Sequence, residues 1–300
     1  MAFSGQTWPT LLNPLLNKLK VTAELPVGLT GNGTFEYRTL RSAYSRYSWA
    51  FPARSVLQTD RETLLAFWNQ MGGSLLSFLF SDPDHNSFSA VNIGTGTQLA
   101  AGAAPTLSTS TTGGTIAGST TLTYGITALN AQGETTESAK SNITTGTGST
   151  NSNTISWSAV SGATSYNVYQ GGKLIGSTTA LSFVDTGYPQ GVTAPTVNGT
   201  GTQNYPLLVP VAGVLHPIWH PSGMTVSVSG WSSQVVNGQP VVQYPAGSCP
   251  LYGVAVTASG TYAFAARFES SAGYAINSLA NGYSPGTSGF DAVSFVEVFE

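Results

Sequence analysis

Hydrophobic and polar positions alternate in short runs along most of this 300-residue chain. Residues 35–40 alternate in this way, and so do residues 292–299, which is the pattern of half-buried strands. Glycine, serine and threonine separate the runs, and Asn237-Gly238 between two valine pairs predicts a tight hairpin turn. The pattern therefore predicts a mainly β protein.

One segment has the period of a helix instead. Residues 59–71 carry an apolar stripe at helical spacing. Thr59 followed by Glu62 matches a capping box at the start of this helix, and Gly72-Gly73 gives the glycine stop expected at its end. The apolar residues of the stripe are Leu64, Phe67, Trp68 and Met71.

The helix is expected to pack against a buried strand that follows it. Residues 75–80 form a short apolar run, and the turn sequence Ser-Asp-Pro-Asp closes this run at residues 81–84. The side chains predicted to form the structural core are Leu64, Phe67, Trp68, Met71, Phe78, Phe80, Trp157, Tyr166, Tyr262, Phe264 and Phe268.

The pentapeptide Gly-Thr-Gly-Thr-Gln occurs twice, at residues 94–98 and 199–203. Between the copies the composition changes, because residues 104–197 carry few charges and long Ser, Thr and Gly tracts. We therefore predict a discontinuous host domain of residues 1–98 and 199–300, interrupted by an inserted module at residues 104–197. The alternative interpretation of the repeat is coincidence in a chain rich in Gly and Thr.

The predicted insert contains short alternating strands about ten residues apart, which favours a β-sandwich. One motif within it comprises Trp157, Val160, Gly162, Ala163, Tyr166, Val168 and Tyr169. In this motif the insert resembles fibronectin type III modules, which are Ig-like sandwiches. The segment from Tyr124 to Gly133 precedes the tryptophan strand, whereas its counterpart in the usual module follows that strand. The resemblance therefore implies a sandwich with permuted strands.

Two further motifs flank the insert. The residues of the first are Phe51, Arg54, Ser55, Thr59, Glu62, Phe67, Phe78, Phe80, Asp82 and Pro83. The residues of the second are Gly260, Tyr262, Phe264, Arg267, Phe268 and Glu269, followed by a strand at residues 293–297. Together they resemble the distal tail proteins of long-tailed phages and gene transfer agents, over residues 1–95 and 200–300 and least clearly over residues 1–35.

This resemblance implies a structural virion protein of the phage tail tip, assembled in the host cytoplasm. Such a protein forms a homo-oligomeric ring, usually a hexamer. The ring joins the tail tube protein to the baseplate hub protein and leaves a channel through which DNA passes without sequence-specific binding. The implied fold is a tail-tube-like β-sandwich or barrel with one packed α-helix.

Composition and charge agree with a protein that buries much of its surface. Only 8% of residues are charged, against roughly 25% in ordinary soluble proteins, and the net charge is −3. Seven of the ten basic residues fall within the first 61 positions. A solvated or interface-facing strand surface is the favoured interpretation, and a surface facing nucleic acid is the alternative. The basic residues concerned are Lys18, Lys20, Arg38, Arg41, Arg46, Arg54 and Arg61.

No combination of residues points to a catalytic, cofactor-binding or metal site. His216 and His220 are four residues apart, a spacing that can bind metal on a helix. Pro217 and Pro221 disfavour a helix there, and no cysteine or carboxylate cluster lies nearby in the sequence to complete a site. An aromatic loop with interface contacts is the favoured interpretation of this segment.

Three other groups have a packing interpretation beside a chemical one. Asp82, Asp84 and His85 suggest acid–base chemistry, but they lie in a predicted turn. Cys249 is the single cysteine, and a small buried side chain is a better interpretation of it than a nucleophile. Tryptophan can stack on sugars, although core or interface packing is its commoner role. The tryptophans concerned are Trp8, Trp219 and Trp231.

Three classes of function compete for this sequence. The first is the structural ring subunit, for which we expect neither catalysis nor a cofactor. The second is a host-surface binding protein in which residues 104–197 are the adhesin for a glycan or another receptor. The third is a glycan hydrolase, which needs paired carboxylates that the spacing of the acidic residues does not suggest.

The sequence also bears on location. The N-terminal segment lacks the basic and apolar regions of a secretory signal. No apolar run approaches the ~18 residues of a transmembrane helix, so we expect no membrane insertion.

Overall fold

The computed structural model describes residues 3–9, 20–24, 27–31, 36–40, 46–51, 58–211, 213–269 and 293–298. Within these residues the protein is mainly β with one helix, as the sequence predicts. Lys18, Arg41, Arg54 and Ser55, which the sequence patterns single out, lie outside the described residues. The elements up to the first pentapeptide are β1 (Phe3–Thr7), β2 (Lys20–Glu24), β3 (Val27–Gly31), β4 (Glu36–Leu40), β5 (Arg46–Phe51), α1 (Gln58–Gln70), β6 (Ser77–Phe80) and β7 (Ser87–Thr95).

The remaining strands fall on either side of the second pentapeptide. Those before it are β8 (Thr106–Ser110), β9 (Thr121–Asn130), β10 (Gly133–Glu134), β11 (Ser141–Thr144), β12 (Ser152–Ser156), β13 (Ser165–Gln170), β14 (Lys173–Thr178) and β15 (Ser182–Asp185). Those from its end onward are β16 (Gln203–Pro206), β17 (Leu208–Val211), β18 (Val214–Pro217), β19 (His220–Val226), β20 (Ser232–Val236), β21 (Gln239–Tyr244), β22 (Ala255–Phe268) and β23 (Val293–Glu297).

The 14-residue strand β22 is the central strand of an eight-stranded sheet, in which it pairs with four other strands. Its first half pairs with β7 on one side and β19 on the other. Its second half pairs with β6 and β23 in the same way. Strand β1 lies beside β6, and β5 and β2 continue the sheet beyond β23. A single strand therefore joins segments from both sides of the insert.

Helix α1 ends in a hydrogen-bonded glycine motif. Gly72 and Gly73 have positive φ angles of 61° and 71°, and their amides donate to the carbonyls of Asn69 and Trp68 over 3.1 and 2.9 Å. This is the Schellman pattern, which satisfies the last carbonyls of a helix. The predicted glycine stop is confirmed.

Two local predictions near the helix are wrong. The helix begins at Gln58, so Thr59 lies in its first turn rather than at a capping-box position. The strand after the helix begins at Ser77, and Leu75 is 69% exposed in the preceding turn. The tight turn that follows the helix, in which the Leu76 amide donates to the Met71 carbonyl over 3.2 Å, leaves Leu75 facing solvent.

The helix covers an aromatic core on the large sheet. Leu64, Phe67 and Met71 are buried, and Trp68 is partly buried at the edge of the same core. Phe78 and Phe268 have ring centroids 5.0 Å apart, and Trp8 from the first strand region packs on the same group. The other predicted core residues of this part are also buried: Phe80, Tyr262 and Phe264.

Three smaller sheets complete this part of the chain. Strands β16, β21 and β20 form one, β17 and β18 a second, and β3 and β4 a third. The predicted hairpin is confirmed, since Val236 pairs with Gln239 around the turn. Asn237 and Gly238 both have positive φ angles, 51° and 70°, as a type I′ turn requires.

Strands β8–β15 form two sheets of their own around a second hydrophobic core. One sheet has the order β10-β9-β13-β14 with β11 also on β9, and the other has the order β15-β12-β8. Trp157 and Tyr166, both predicted core residues, are buried with ring centroids 5.4 Å apart. Leu99 packs in this second core although it precedes residue 104.

Candidate functional site

The two pentapeptides lie side by side, the first at the end of β7 in the large sheet and the second leading into β16, which belongs to the three-stranded sheet of the host part. The Gln203 side chain donates from Nε2 to Thr97 Oγ1 and accepts at Oε1 from the Tyr205 hydroxyl, 2.6 Å away. The ring of Tyr205 occupies the space where a Cβ on Gly94 would stand. Glycine is therefore needed at the first position of the first copy. We call residues 94–99, 198–203 and 247–252 the junction.

The first copy also pairs with the loop that leads into β22. Its Gly96 amide donates to the Val254 carbonyl over 2.8 Å, and the Gly253 amide returns a bond to Gly96. The Gln98 side chain accepts from the Cys249 amide over 2.7 Å and donates to the Gly247 carbonyl over 3.3 Å. The first pentapeptide is thus fixed to the host part by its backbone and by its glutamine.

Strands of the insert contact the junction directly. Asn130 at the end of β9 donates from Nδ2 to the Thr97 carbonyl over 3.0 Å. The Gly199 amide donates to the Glu134 carbonyl over 2.7 Å, and Asn198 Nδ2 donates to the Leu99 carbonyl over 3.1 Å. The sequence does not predict these contacts of Asn130 and Asn198, because an asparagine in a turn or loop carries no signal of its distant partner.

A buried polar cluster lies beneath β18 in the host part. His216 Nε2 is 2.9 Å from Glu297 Oε1, and both side chains are almost fully buried. Glu297 Oε2 also accepts from the Tyr47 amide over 3.0 Å, and the Tyr47 hydroxyl donates to the Val211 carbonyl over 2.9 Å. These bonds tie the β17–β18 hairpin to β5 and β23. His216 therefore lies in a strand of the core rather than in an interface loop.

The predicted acid–base candidates occupy structural positions. Asp82 is buried, and its Oδ2 accepts from the Trp49 indole Nε1 over 3.0 Å. Its Oδ1 accepts from the Asp84 amide over 3.0 Å, which shapes the turn after β6. His85 Nδ1 lies 3.5 Å from Asp82 Oδ2. The carboxylate thus holds β5 to this turn.

Two carboxylates organise the insert, buried Asp185 and half-buried Glu134. Asp185 accepts from the Tyr124 hydroxyl over 2.7 Å at Oδ2 and from the Gly187 amide over 2.8 Å at Oδ1. Glu134 Oε1 accepts from Thr127 Oγ1 over 2.6 Å and from the Tyr169 hydroxyl over 2.8 Å. Each carboxylate thus links several strands of the insert.

Burial shifts the ionisation of several tyrosines. It raises the pKa of Tyr169 to about 12, and the Glu134 carboxylate adds to the shift. It raises the pKa of Tyr205 to about 12 as well. Burial likewise raises the pKa of the Cys249 thiol, which keeps the thiolate scarce and argues against a nucleophile. The tyrosines with pKa values raised in the same direction, chiefly by burial, are Tyr47, Tyr124, Tyr244 and Tyr262.

The other candidate residues are dispersed. His220 begins β19 and Trp219 precedes it, both half-buried. Trp231 packs against the host core from its edge. Among the described residues, no group of three His, Cys, Asp or Glu side chains is placed to hold a metal ion. Nor does the described part of the chain contain a helix with the length and apolar character needed to span a bilayer.

The junction thus joins both pentapeptides, a loop of the host part and the insert through hydrogen bonds. No family model matches the chain, and no curated protein sequence matches it.

Proposed function

We propose that this chain is the ring subunit of a phage tail tip, a distal tail protein that connects the tail tube to the baseplate hub. The proposal rests on the two sequence motifs that flank the insert. Their aromatic residues meet in one core, since Phe264 pairs with Phe80 in the sheet and the Phe80 and Phe295 rings are 4.7 Å apart. Segments nearly two hundred residues apart in sequence thus belong to one packed unit, which supports a single host domain interrupted by the insert.

The sparse charge of the chain supports the same proposal. Interfaces between subunits are depleted in charge at their centre, and 8% charged residues leave much of this surface neutral. A ring closes through head-to-tail contacts, so each subunit offers two different faces. Val214 and Leu215 at the β17–β18 hairpin and Val235 on β20 are exposed apolar side chains available to such contacts.

Native mass spectrometry and negative-stain electron microscopy of the purified chain test the proposal. We expect a closed ring of identical copies, most simply six. Val235→Asp places a charge on an exposed strand and should weaken the ring, whereas Val192→Asp in the insert is the matched control and should leave it intact. A chain that stays monomeric at every concentration tested, alone and with a tail tube protein, contradicts the proposal.

A second function, binding of a host-surface glycan, is favoured by one feature of the insert. Tyr188 is 46% exposed, and its ring centroid lies 5.5 Å from that of Phe183. Buried Asp185 accepts from the Tyr188 backbone amide over 3.2 Å and from Gln170 Nε2 over 3.2 Å, which holds the loop of Tyr188 close to the Gln170 side chain. An exposed aromatic face next to amide groups suits the apolar face and hydroxyls of a neutral sugar.

Adsorption of the protein to bacterial cells or to neutral cell-wall glycans tests this second function. Tyr188→Ala should abolish adsorption, while Leu181→Ala, another exposed apolar position of the insert, should not. Equal adsorption of both variants and the unchanged protein leaves the insert as decoration of the ring.

A further inference from the structure

The junction holds the insert in one orientation instead of letting it swing. Ten residues separate the end of β7 from the start of β8, and seventeen separate β15 from β16. Both linkers consist mostly of small residues, Ala and Gly in the first and Thr and Gly in the second. Two units joined by connections of this length are expected to move relative to each other. Here the linkers are themselves hydrogen-bonded to both units.

The second pentapeptide bridges the two units with its backbone. Its Gly199 amide donates to Glu134 of the insert over 2.7 Å, while the Thr200 carbonyl, one residue further, accepts from the Gly247 amide of the host part over 2.9 Å. Thr200 is buried. Rotation of the insert would therefore break one of these two backbone hydrogen bonds. It would leave a backbone amide and carbonyl without the partners that they have now.

Side-chain amides close the junction from both sides. Asn130 of the insert bonds to Thr97 of the first copy, and Asn198 beside the second copy bonds to Leu99. The second copy also bonds to the first through Gln203 and Thr97. The two linkers are thus tied to each other and to both units.

Close packing leaves no room for sliding. A Cβ on Gly133 would overlap the backbone at Gly199 and Thr200, and a Cβ on Gly96 would overlap the carbonyls of residues 250 and 251. Gly162 of the insert, with φ +83°, lies against the ring of Tyr252 from the host loop. Backbones approach this closely only where glycine removes the side chain.

We propose that the paired pentapeptides are a rigid clasp that makes the insert and the host part a single mechanical and cooperative unit. Three glycines of the two copies, Gly94, Gly96 and Gly199, permit the close approach. The side-chain hydrogen bonds come from Thr97, Gln98 and Gln203. The clasp fixes the direction in which the insert projects, whatever the insert binds. It is independent of ring formation, because its contacts all lie within one chain.

Hydrogen–deuterium exchange and calorimetry of the full chain test the clasp. We expect one unfolding transition whose calorimetric and van't Hoff enthalpies agree, and amides of Gly199 and Gly247 that exchange as slowly as those in β9 and β22. Two separate transitions in the unchanged protein, or fast exchange of those two amides, overturns the proposal.

A pair of variants sharpens the test. The double variant Asn130→Ala with Asn198→Ala removes the bonds to Thr97 and Leu99 together with the local bonds of both asparagines. It should speed exchange of the Gly199 and Gly247 amides at least roughly tenfold and split the single unfolding transition into two. Asn142→Ala is the matched control, because Asn142 accepts only within the insert, from Thr123 Oγ1 over 2.7 Å. If the double variant does not fold, Asn130→Ala alone serves. Exchange at the junction that is equal in the Asn130 variant and the control also overturns the clasp.

Discussion

His216 and Glu297 form a buried pair at 2.9 Å, with side chains only 1% and 3% exposed. They are 81 residues apart in sequence and join the β17–β18 hairpin to strand β23. Glu297 also accepts from the Tyr47 amide, so its removal leaves two buried partners without their acceptor.

Glu297→Ala is therefore expected to lower the free energy of unfolding by about 3–5 kcal/mol, the cost of breaking a buried pair from one side. Urea denaturation followed by fluorescence measures it. Lys140→Ala is the control, because the Lys140–Glu137 pair at 3.2 Å is largely exposed on its lysine side and such pairs contribute about 0–1 kcal/mol. Similar losses in both variants would contradict a special role for the buried pair.

Two leucines, one in the helix and one just after it, test whether burial rather than the apolar sequence pattern determines the cost of substitution. Leu64 is fully buried in the host core, whereas Leu75 is 69% exposed. Leu64→Ala should cost about 2–5 kcal/mol through lost burial and a new cavity, and Leu75→Ala should change stability by no more than about 0.5 kcal/mol. Thermal and urea unfolding of both variants measures the difference. A large loss at Leu75 would restore the original assignment of residues 75–80 as one buried strand.

The glycine stop of the helix gives a third prediction. Gly72→Ala should destabilise the protein by about 1–2 kcal/mol, because the position requires the left-handed φ of 61° that costs this much for a residue with a Cβ. Gly72→Asn should recover part of the loss, since asparagine tolerates that conformation. Unfolding by urea compares the two variants, and an alanine variant as stable as the unchanged protein would contradict the assignment.

Local signals were sufficient for the parts of the fold that depend on near neighbours. The helical stripe around Leu64 and the Asn237-Gly238 turn have their signals within a few residues, and both were predicted. The role of β22 was not, because its four partner strands come from both sides of the insert and pairing over such distances leaves no periodic trace. The prediction that Leu75 lies in a buried strand is wrong for a related reason. A run of apolar residues shows that some of them are buried, but tertiary packing decides which ones.

The sequence predicts where the junction lies along the chain, but not which residues contact each other there. The repeated pentapeptide marks where the chain leaves the host part and returns to it, but the repeat cannot reveal that Asn130 bonds to Thr97 or that Gln203 bonds to the first copy. Those bonds depend on how two folded units sit together. Sequence alone likewise placed His216 in a loop, because its prolines excluded a helix but did not distinguish a loop from a short strand.

Alkaline pH is expected to destabilise the protein. The pKa of Tyr169 is raised to about 12 in the folded state from an ordinary value of 10.0, so the unfolded chain loses this proton first as the pH rises. The stability that depends on a neutral Tyr169 is fully present below pH 10 and is lost between pH 10 and about 12. The free energy of unfolding should fall in this window, by up to ~1.4 kcal/mol per pH unit for each such tyrosine.

Denaturant titrations at a series of alkaline pH values measure this slope, and tyrosinate absorbance follows the ionisation itself. Tyr169→Phe should reduce the slope by removing one group. A slope that Tyr169→Phe leaves unchanged would show that the alkaline loss arises at the other buried tyrosines.

The close approach of Gly94 and Tyr205 can be tested by a double-mutant cycle. Gly94→Ala puts a methyl group into the space of the Tyr205 ring and should cost about 1–3 kcal/mol, as overpacking does. In a Tyr205→Ala background the same substitution should cost less, because the ring that it overlaps is gone, and the difference between the two costs is the coupling energy. Urea unfolding of the four proteins supplies the cycle. Equal costs in both backgrounds would mean that the two residues are not in contact, and the side-by-side placement of the pentapeptides would then lose one of its supports.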